Sequence, residues 1–186
     1  MAARDKFHKY KLLKPLATGG MGTIYLARVS EGPGAGRIVV LKCISPEHSQ
    51  NPEYRKLFES EIKVMLGLSH PNIVTLLDAG EEDGTLFITL DWVEGRNLRQ
   101  LQTRSDGRLA PLDPRLALAI GIEVAKGLNH AHAFVDRITN QKRPIIHRDI
   151  SPTNILIGFD GAVKIIDFGI AKTLTSKKAH TKKNNG

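Results

Sequence analysis

Short alternating runs of apolar and polar residues open the chain and give way, near residue 52, to a three- and four-residue period. Residues Tyr10 to Val29 read as two strands around the cluster Gly19-Gly20-Met21-Gly22, the second carrying Thr23, Ile24 and Tyr25. Ser30 to Gly36 has the composition of a turn, and Arg37 to Ile44 is a third strand with Ile38, Val39, Val40 and Leu41 as its apolar run. From Pro52, Leu57 or Phe58, Ile62, and Met65 or Leu66 recur at helical spacing. This helix should stop before His70-Pro71, because a residue ahead of proline is pushed out of the α region. Ile73 to Ala79 and Leu86 to Val93 are two further strands joined by the polar turn Glu81-Glu82-Asp83-Gly84. Gly95 to Arg108 reads as a short helix plus loop. Asp113-Pro114, an N-cap acid with proline in the first turn, then starts a long helix. Its predicted apolar face is Leu116, Ile120, Val124, Leu128 and Ala131 or His132, ending near Phe134. Asp136 to Arg143 is a polar insertion before the strand-like Pro144-Ile145-Ile146.

Composition narrows the class. A chain of 186 residues can bury a real core, and 41% hydrophobic residues is ordinary for a globular protein. No apolar run approaches the roughly 20 residues that span a bilayer, and the N-terminus lacks the apolar stretch of a secretory signal. Cys43, the single cysteine, excludes an internal disulfide, so the expected location is cytoplasmic. The formal net charge is +8, but Lys172, Lys177, Lys178, Lys182 and Lys183 supply five of those charges, with no acid after Asp167. No aromatic residue follows Phe168, so the stacking partners of a single-strand binder are missing there. The expected reading is a solvated basic tail and no nucleic-acid partner.

Three groups of residues carry chemistry. The run Leu16, Ala17, Thr18, Gly19, Gly20, Met21, Gly22, Thr23 and Ile24 is a glycine-rich turn between strands, where backbone amides can approach phosphate oxygens without Cβ interference. Lys42, inside an apolar strand, needs a partner because an unpaired buried charge is costly. The following helix offers Glu61 and Glu59 for that role. Finally, His147-Arg148-Asp149, Asn154 and Asp167-Phe168-Gly169 offer two carboxylates and an amide that could hold a metal-bound triphosphate and orient a hydroxyl.

In that order these motifs resemble the eukaryotic-type (Hanks-type) serine/threonine protein kinases, in a bacterial-like form, from about Tyr10 to Lys172. The resemblance implies an α+β, two-lobed fold: an N-lobe of a five-stranded antiparallel sheet plus one helix (1–94), a partial helical C-lobe (95–172), and a basic tail (173–186) opening an activation loop. It implies ATP and Mg2+ as cofactors and a protein substrate with a Ser/Thr acceptor. Asp149 would handle the acceptor proton, Lys42 paired to Glu61 would hold the phosphates, and Asn154 and Asp167 would bind metal. Val40, Leu90, Asp91, Val93 and Leu156, with the glycine-rich run, would line the ATP site. Met65, Leu76, His147 and Phe168 would form an internal apolar column. Arg148 would clamp a phosphate on Thr173, Thr175, Ser176 or Thr181.

Departures from the family pattern are Ala17 for its first glycine, Val40 for a small alanine, and Ser151 for the usual catalytic-loop lysine. The missing Ala-Pro-Glu motif and later helices make truncation in the activation loop the expectation. The competing readings are a nucleotide-binding pseudokinase or regulatory module and, far behind it, a nucleic-acid binder acting through the tail. The other histidines, His130 and His132 among them, are unconvincing as metal ligands, since two residues apart on a helix they face different directions.

Overall fold

A computed structural model describes residues 5–136 and 139–168. The elements are β1 (Lys6–Phe7), β2 (Tyr10–Gly19), β3 (Gly22–Val29), β4 (Ile38–Ile44), α1 (Pro46–Ser49), α2 (Pro52–Leu66), β5 (Leu76–Glu82) and β6 (Thr85–Asp91). They continue as β7 (Gly95–Asn97), α3 (Leu98–Gln102), α4 (Pro114–His132), β8 (Val135–Asp136), β9 (Gln141–Lys142), a 3-10 turn (Pro152–Asn154), β10 (Ile155–Gly158) and β11 (Val163–Ile165). The chain forms two compact units, Met1–Leu66 with Thr75–Trp92, and Gly67–Val74 with Val93–Gly186.

The first unit is built on one antiparallel sheet of order β1-β2-β3-β4-β6-β5. It has six strands, not the five expected. The extra one, Lys6–Phe7, folds back on Tyr10 and Lys11 through a tight turn with His8 at φ 50°. Two residues carry no readable period, but Phe7 gives the strand its hold: its ring meets Phe87 edge-on at 5.5 Å, and Tyr10 meets the same ring at 5.9 Å. Such pairs contribute about 0.5–1.5 kcal/mol beyond area burial. Around them Ala27, Val29, Val39 and Leu41 complete one core cluster. The period-2 pattern of β4 puts Val39 and Leu41 in that cluster and turns Val40 and Lys42 to the opposite face.

Helix α2 begins where Asn51 Oδ1 accepts the backbone N–H groups of Glu53 (2.9 Å) and Tyr54 (3.1 Å). Tyr54, Phe58, Ile62 and Met65 form its buried stripe. Ahead of it, the short α1 is tied down by Ser49. Its buried hydroxyl donates to Ile44 O at 3.3 Å and accepts the Leu86 N–H at 3.1 Å.

In the second unit α4 starts as expected, with Asp113 Oδ1 accepting the N–H groups of Arg115 and Leu116. The buried face is Ile120, Val124, Gly127 and Ala131. Leu116, placed on that face by spacing, is instead exposed, as are Leu118 and Ile122. The core joins α4 to β10 and β11 through Ile155, Val163, Ile165 and Phe168. Residues 67–74 belong here because Val74 N–H donates to Ile165 O and Ile165 N–H to Asn72 O, each at 2.9 Å. Pro144-Ile145-Ile146 is not a strand, and β7, β10 and β11 form a small antiparallel sheet that short, irregular patterning conceals.

Candidate functional site

Strand register gathers the first unit's candidates. Ala17 pairs with Ile24, Ile24 with Lys42, and Lys42 with Ile88, a single row across four strands. One pleat along, Val40 pairs with Leu26 and Leu90. Side chains two apart on a strand share a face, so Ile24, Val40, Lys42 and Leu90 look out from the same side of the sheet. Leu16 and Thr18 flank Ala17 on β2, and Thr18 pairs with Thr23.

Gly19 and Gly22 pair where β2 and β3 meet, with Gly20 and Met21 between them. Gly22 sits at φ +133°, and a Cβ on it would lie 2.0 Å from Cys43 O. Its backbone must lie directly on β4. No atom lies within 4 Å of a Cβ built on Gly19 or Gly20, so these two leave the tip of the hairpin clear. Ser45 N–H donates to Met21 O at 3.0 Å and anchors the tip to the end of β4.

Glu61 lies within α2, but its side chain is outside the described residues. Asp91 closes β6, its N–H donating to Thr75 O at 3.0 Å and its carboxylate paired with Arg37 at 3.0 Å.

The second unit holds the acid and metal candidates. His147, 1% exposed, donates Nε2–H to Ile166 O at 2.8 Å. Its Nδ1 then accepts the Asp149 N–H at 3.2 Å, which fixes the tautomer. Phe168, 3% exposed, meets the His147 ring edge-on at 4.6 Å. Asn154 Nδ2 donates to both Asp149 O (2.9 Å) and Asp149 Oδ2 (3.1 Å). With those hydrogens committed, Oδ1 is the ligand atom Asn154 can offer. Asn154 O accepts the Ile166 N–H at 3.0 Å. Asp167, exposed and at φ 56°, follows directly. One loop therefore carries Asp149 and Asn154 and also grips the residue before Asp167.

Arg148 is likewise left-handed, at φ 65°. Non-glycine residues held there cost of order 1–3 kcal/mol and cluster at functional sites. Ser151 Oγ and Thr153 Oγ1 lie 2.8 Å apart, so the serine that replaces the expected lysine has a hydroxyl partner. Leu156 is half-buried on β10, between Asn97 and Lys164 in register, and Val93 is half-buried just before β7.

Among the described residues no group of three or more His, Cys, Asp or Glu gathers as a metal cluster. One carboxylate and one amide oxygen suit Mg2+, a hard cation that keeps waters and takes phosphate oxygens to complete its shell. Gly169, Lys172, Thr173, Thr175, Ser176, Thr181 and the tail lysines lie outside the described residues.

Asn72 is a buried positioning residue that the sequence did not reveal. It is 6% exposed, and its Nδ2 donates to Glu123 Oε2 and Val163 O, each at 2.9 Å. It thereby ties α4 to β11, the strand that leads to Asp167. An asparagine between Pro71 and the apolar pair Ile73-Val74 was the available signal.

Comparison with known proteins gives one family. The protein kinase domain model matches residues 10–185. The chain is 38% identical over 175 residues to a probable serine/threonine-protein kinase, CPE1738, of Clostridium perfringens, covering 94% of the chain and 23% of that protein. It is 36% identical over 168 residues to the serine/threonine-protein kinase PrkC of Bacillus subtilis (90% and 24% covered). It is 36% identical over 164 residues to the tyrosine-protein kinase MasK of Myxococcus xanthus (88% and 25%). The chain thus spans about a quarter of the length of these relatives. Among solved structures, the Mycobacterium tuberculosis PknI kinase domain is similar with a TM-score of 0.72 at 33% identity, over 92% of this chain and 64% of that one.

Proposed function

Because the chain belongs to the protein kinase family, as a bacterial Hanks-type serine/threonine kinase domain, we propose that it binds ATP with Mg2+ and transfers the γ-phosphate to a Ser or Thr hydroxyl of a protein. The observation that carries this reading is the loop in which His147 and Asn154 hold Asp149 while gripping Ile166 beside Asp167.

Asp149 orients the acceptor hydroxyl and takes its proton as the new P–O bond forms and the bond from the γ-phosphorus to the bridging oxygen breaks, releasing ADP. Asn154 Nδ2, bonded to Asp149 Oδ2, restrains the carboxylate for that task. Asn154 Oδ1 and the Asp167 carboxylate are the groups that would hold Mg2+, which would supply charge neutralisation to the phosphates. Lys42 supplies a further cation from β4, and the Gly19-Gly20 tip lets backbone amides come close to phosphate oxygens. Positioning and charge neutralisation dominate such a transfer, since the protein does little covalent work.

A second reading, a nucleotide-binding module without transfer, is favoured by Ser151. A hydroxyl held by Thr153 cannot supply the charge of the family's lysine to the transferring group.

The test is purified chain with radiolabelled ATP, Mg2+ and a peptide pool containing Ser, Thr and Tyr acceptors, alongside Asp149→Asn and Asp167→Asn. The tyrosine acceptor is included because one relative is named a tyrosine kinase. Label on Ser or Thr, abolished by Asp149→Asn, supports transfer. Magnesium-dependent binding without label selects the second reading. Label that survives Asp149→Asn, or binding indifferent to both Mg2+ and Asp167→Asn, sinks the assignment of the site.

A further inference from the structure

Two histidine rings face one another in the second unit. His70 belongs to segment 67–74 and His130 to the last turn of α4; their centroids are 4.9 Å apart and their planes inclined by 33°. His70 Nδ1 accepts the backbone N–H of Asn72 at 3.1 Å. A ring in that role carries its proton on Nε2, whereas an imidazolium has N–H on both nitrogens and cannot accept. Protonation of His70 and this Asn72 N–H bond are mutually exclusive, whereas the turn's Ile73 N–H bond to His70 O, at 3.0 Å, does not depend on the ring.

That turn opens the stretch that holds β11. Asn72 reaches Glu123 and Val163, its carbonyl accepts the Ile165 N–H, and Ile73 bridges Ile165 in parallel. The charged and titratable groups around His70 are His130, Glu123 and Lys126 of α4 and Lys164 of β11. Glu123 alone favours an imidazolium there, and it is already engaged by Lys126 at 2.6 Å and by Asn72. Burial first, then His130, Lys126 and Lys164, oppose the charge and hold His70 below its ordinary value of 6.5. A histidine lower in the folded than in the unfolded chain contributes stability that is complete above the unfolded value. That stability is lost as pH falls through the folded one.

We propose that His70 and His130 form an acid-sensitive latch: proton uptake by His70 releases the Asn72 N–H from the ring and loosens the hold of segment 67–74 on β11, the strand that leads to Asp167. The device goes beyond the kinase reading and needs no nucleotide to be observed.

The test is NMR on the 186-residue chain, following the His70 ring and the exchange protection of the Asn72, Val74 and Ile165 amides between about pH 8 and 5. Protection at the three amides should fall about tenfold together, the worth of one hydrogen bond, as His70 titrates below its ordinary range. In His70→Asn a side-chain oxygen can accept the same N–H as an Asx turn with nothing to protonate, so protection should stay flat. His130→Phe keeps the ring contact and removes the second titratable group, so His70 should titrate at higher pH and release should begin sooner on acidification. This variant stands alone if the asparagine form fails to fold. An Asn72 amide indifferent to His70 titration overturns the latch. So does a His70→Asn chain that loses protection over the same range, or a His70 titration unmoved by His130→Phe.

Discussion

Gly22→Ala separates a glycine needed for folding from glycines needed only for access. The new methyl would sit 2.0 Å from Cys43 O and 3.0 Å from Ile44 Cα, both backbone atoms that cannot swing aside. An ordinary C···O contact is about 3.3 Å or more, so β3 must move away from β4 by over an ångström. The Gly22–Ile44 pairing and the Ser45 N–H bond to Met21 O lie at that spot. A left-handed alanine costs roughly 1–3 kcal/mol and overpacking against rigid neighbours a further 1–3. A total loss of about 2–6 kcal/mol is a large part of the 5–15 kcal/mol that holds a typical domain together. Gly20→Ala meets nothing within 4 Å and should stay within about 0.5 kcal/mol of the parent. Urea unfolding followed by the fluorescence of Trp92, the single tryptophan, measures both. Equal unfolding midpoints for the two variants would refute the reasoning, because the close approach of β3 to β4 would then not be what requires a glycine.

Other outcomes follow from the same geometry. Asn72→Leu leaves Val163 O without its side-chain donor and should lower stability by about 2–3 kcal/mol in chemical denaturation, against little for exposed Asn129→Leu. Burial works against the Asp78 charge, but hydrogen bonds from Lys9 and Tyr10 outweigh it and hold the carboxyl below its ordinary 3.8. Its contribution, about 1 kcal/mol for a partly exposed pair, is therefore present above that pH and lost as pH falls through the folded value. The stability gap between parent and Asp78→Asn should close in an acid titration over that window. Ser151→Lys should raise turnover or leave it unchanged in the phosphotransfer assay; a large drop would assign a further role to the hydroxyl pair with Thr153.

Much of the fold was legible where elements are long enough to show a period. The strands β2, β3, β4 and β6, the helix α2 and the Asp113 start of α4 follow from alternation, spacing and capping that act within a few residues. Lys6–Phe7, α1 and the sheet of β7, β10 and β11 did not, since two to four residues have no period and their partners are distant in sequence. The same distance hid the attachment of segment 67–74, which depends on Asn72 reaching Val163 and Glu123. For the site, residue types and order pointed to Lys42, Asp149, Asn154 and Asp167. Strand register added that Ala17, Ile24 and Lys42 form one row. His130 was judged against His132 on its own helix, where the two do diverge; its partner, His70, comes from another part of the chain. Leu116 shows a limit of periodicity, which names an apolar stripe without saying what packs on it.

Ile166 gives its carbonyl to His147 and its amide to Asn154, so what fastens it is main chain at both points. Such a fastening does not depend on which side chain stands there. Inheritance could exchange the isoleucine for another residue, proline excepted for want of an N–H, and leave the seat of Asp167 undisturbed. What descent must keep constant is the count of residues from the grip to the aspartate. Extra chain at the exposed tip around Asp160–Gly161 would loop outward between β10 and β11 and leave that count unchanged.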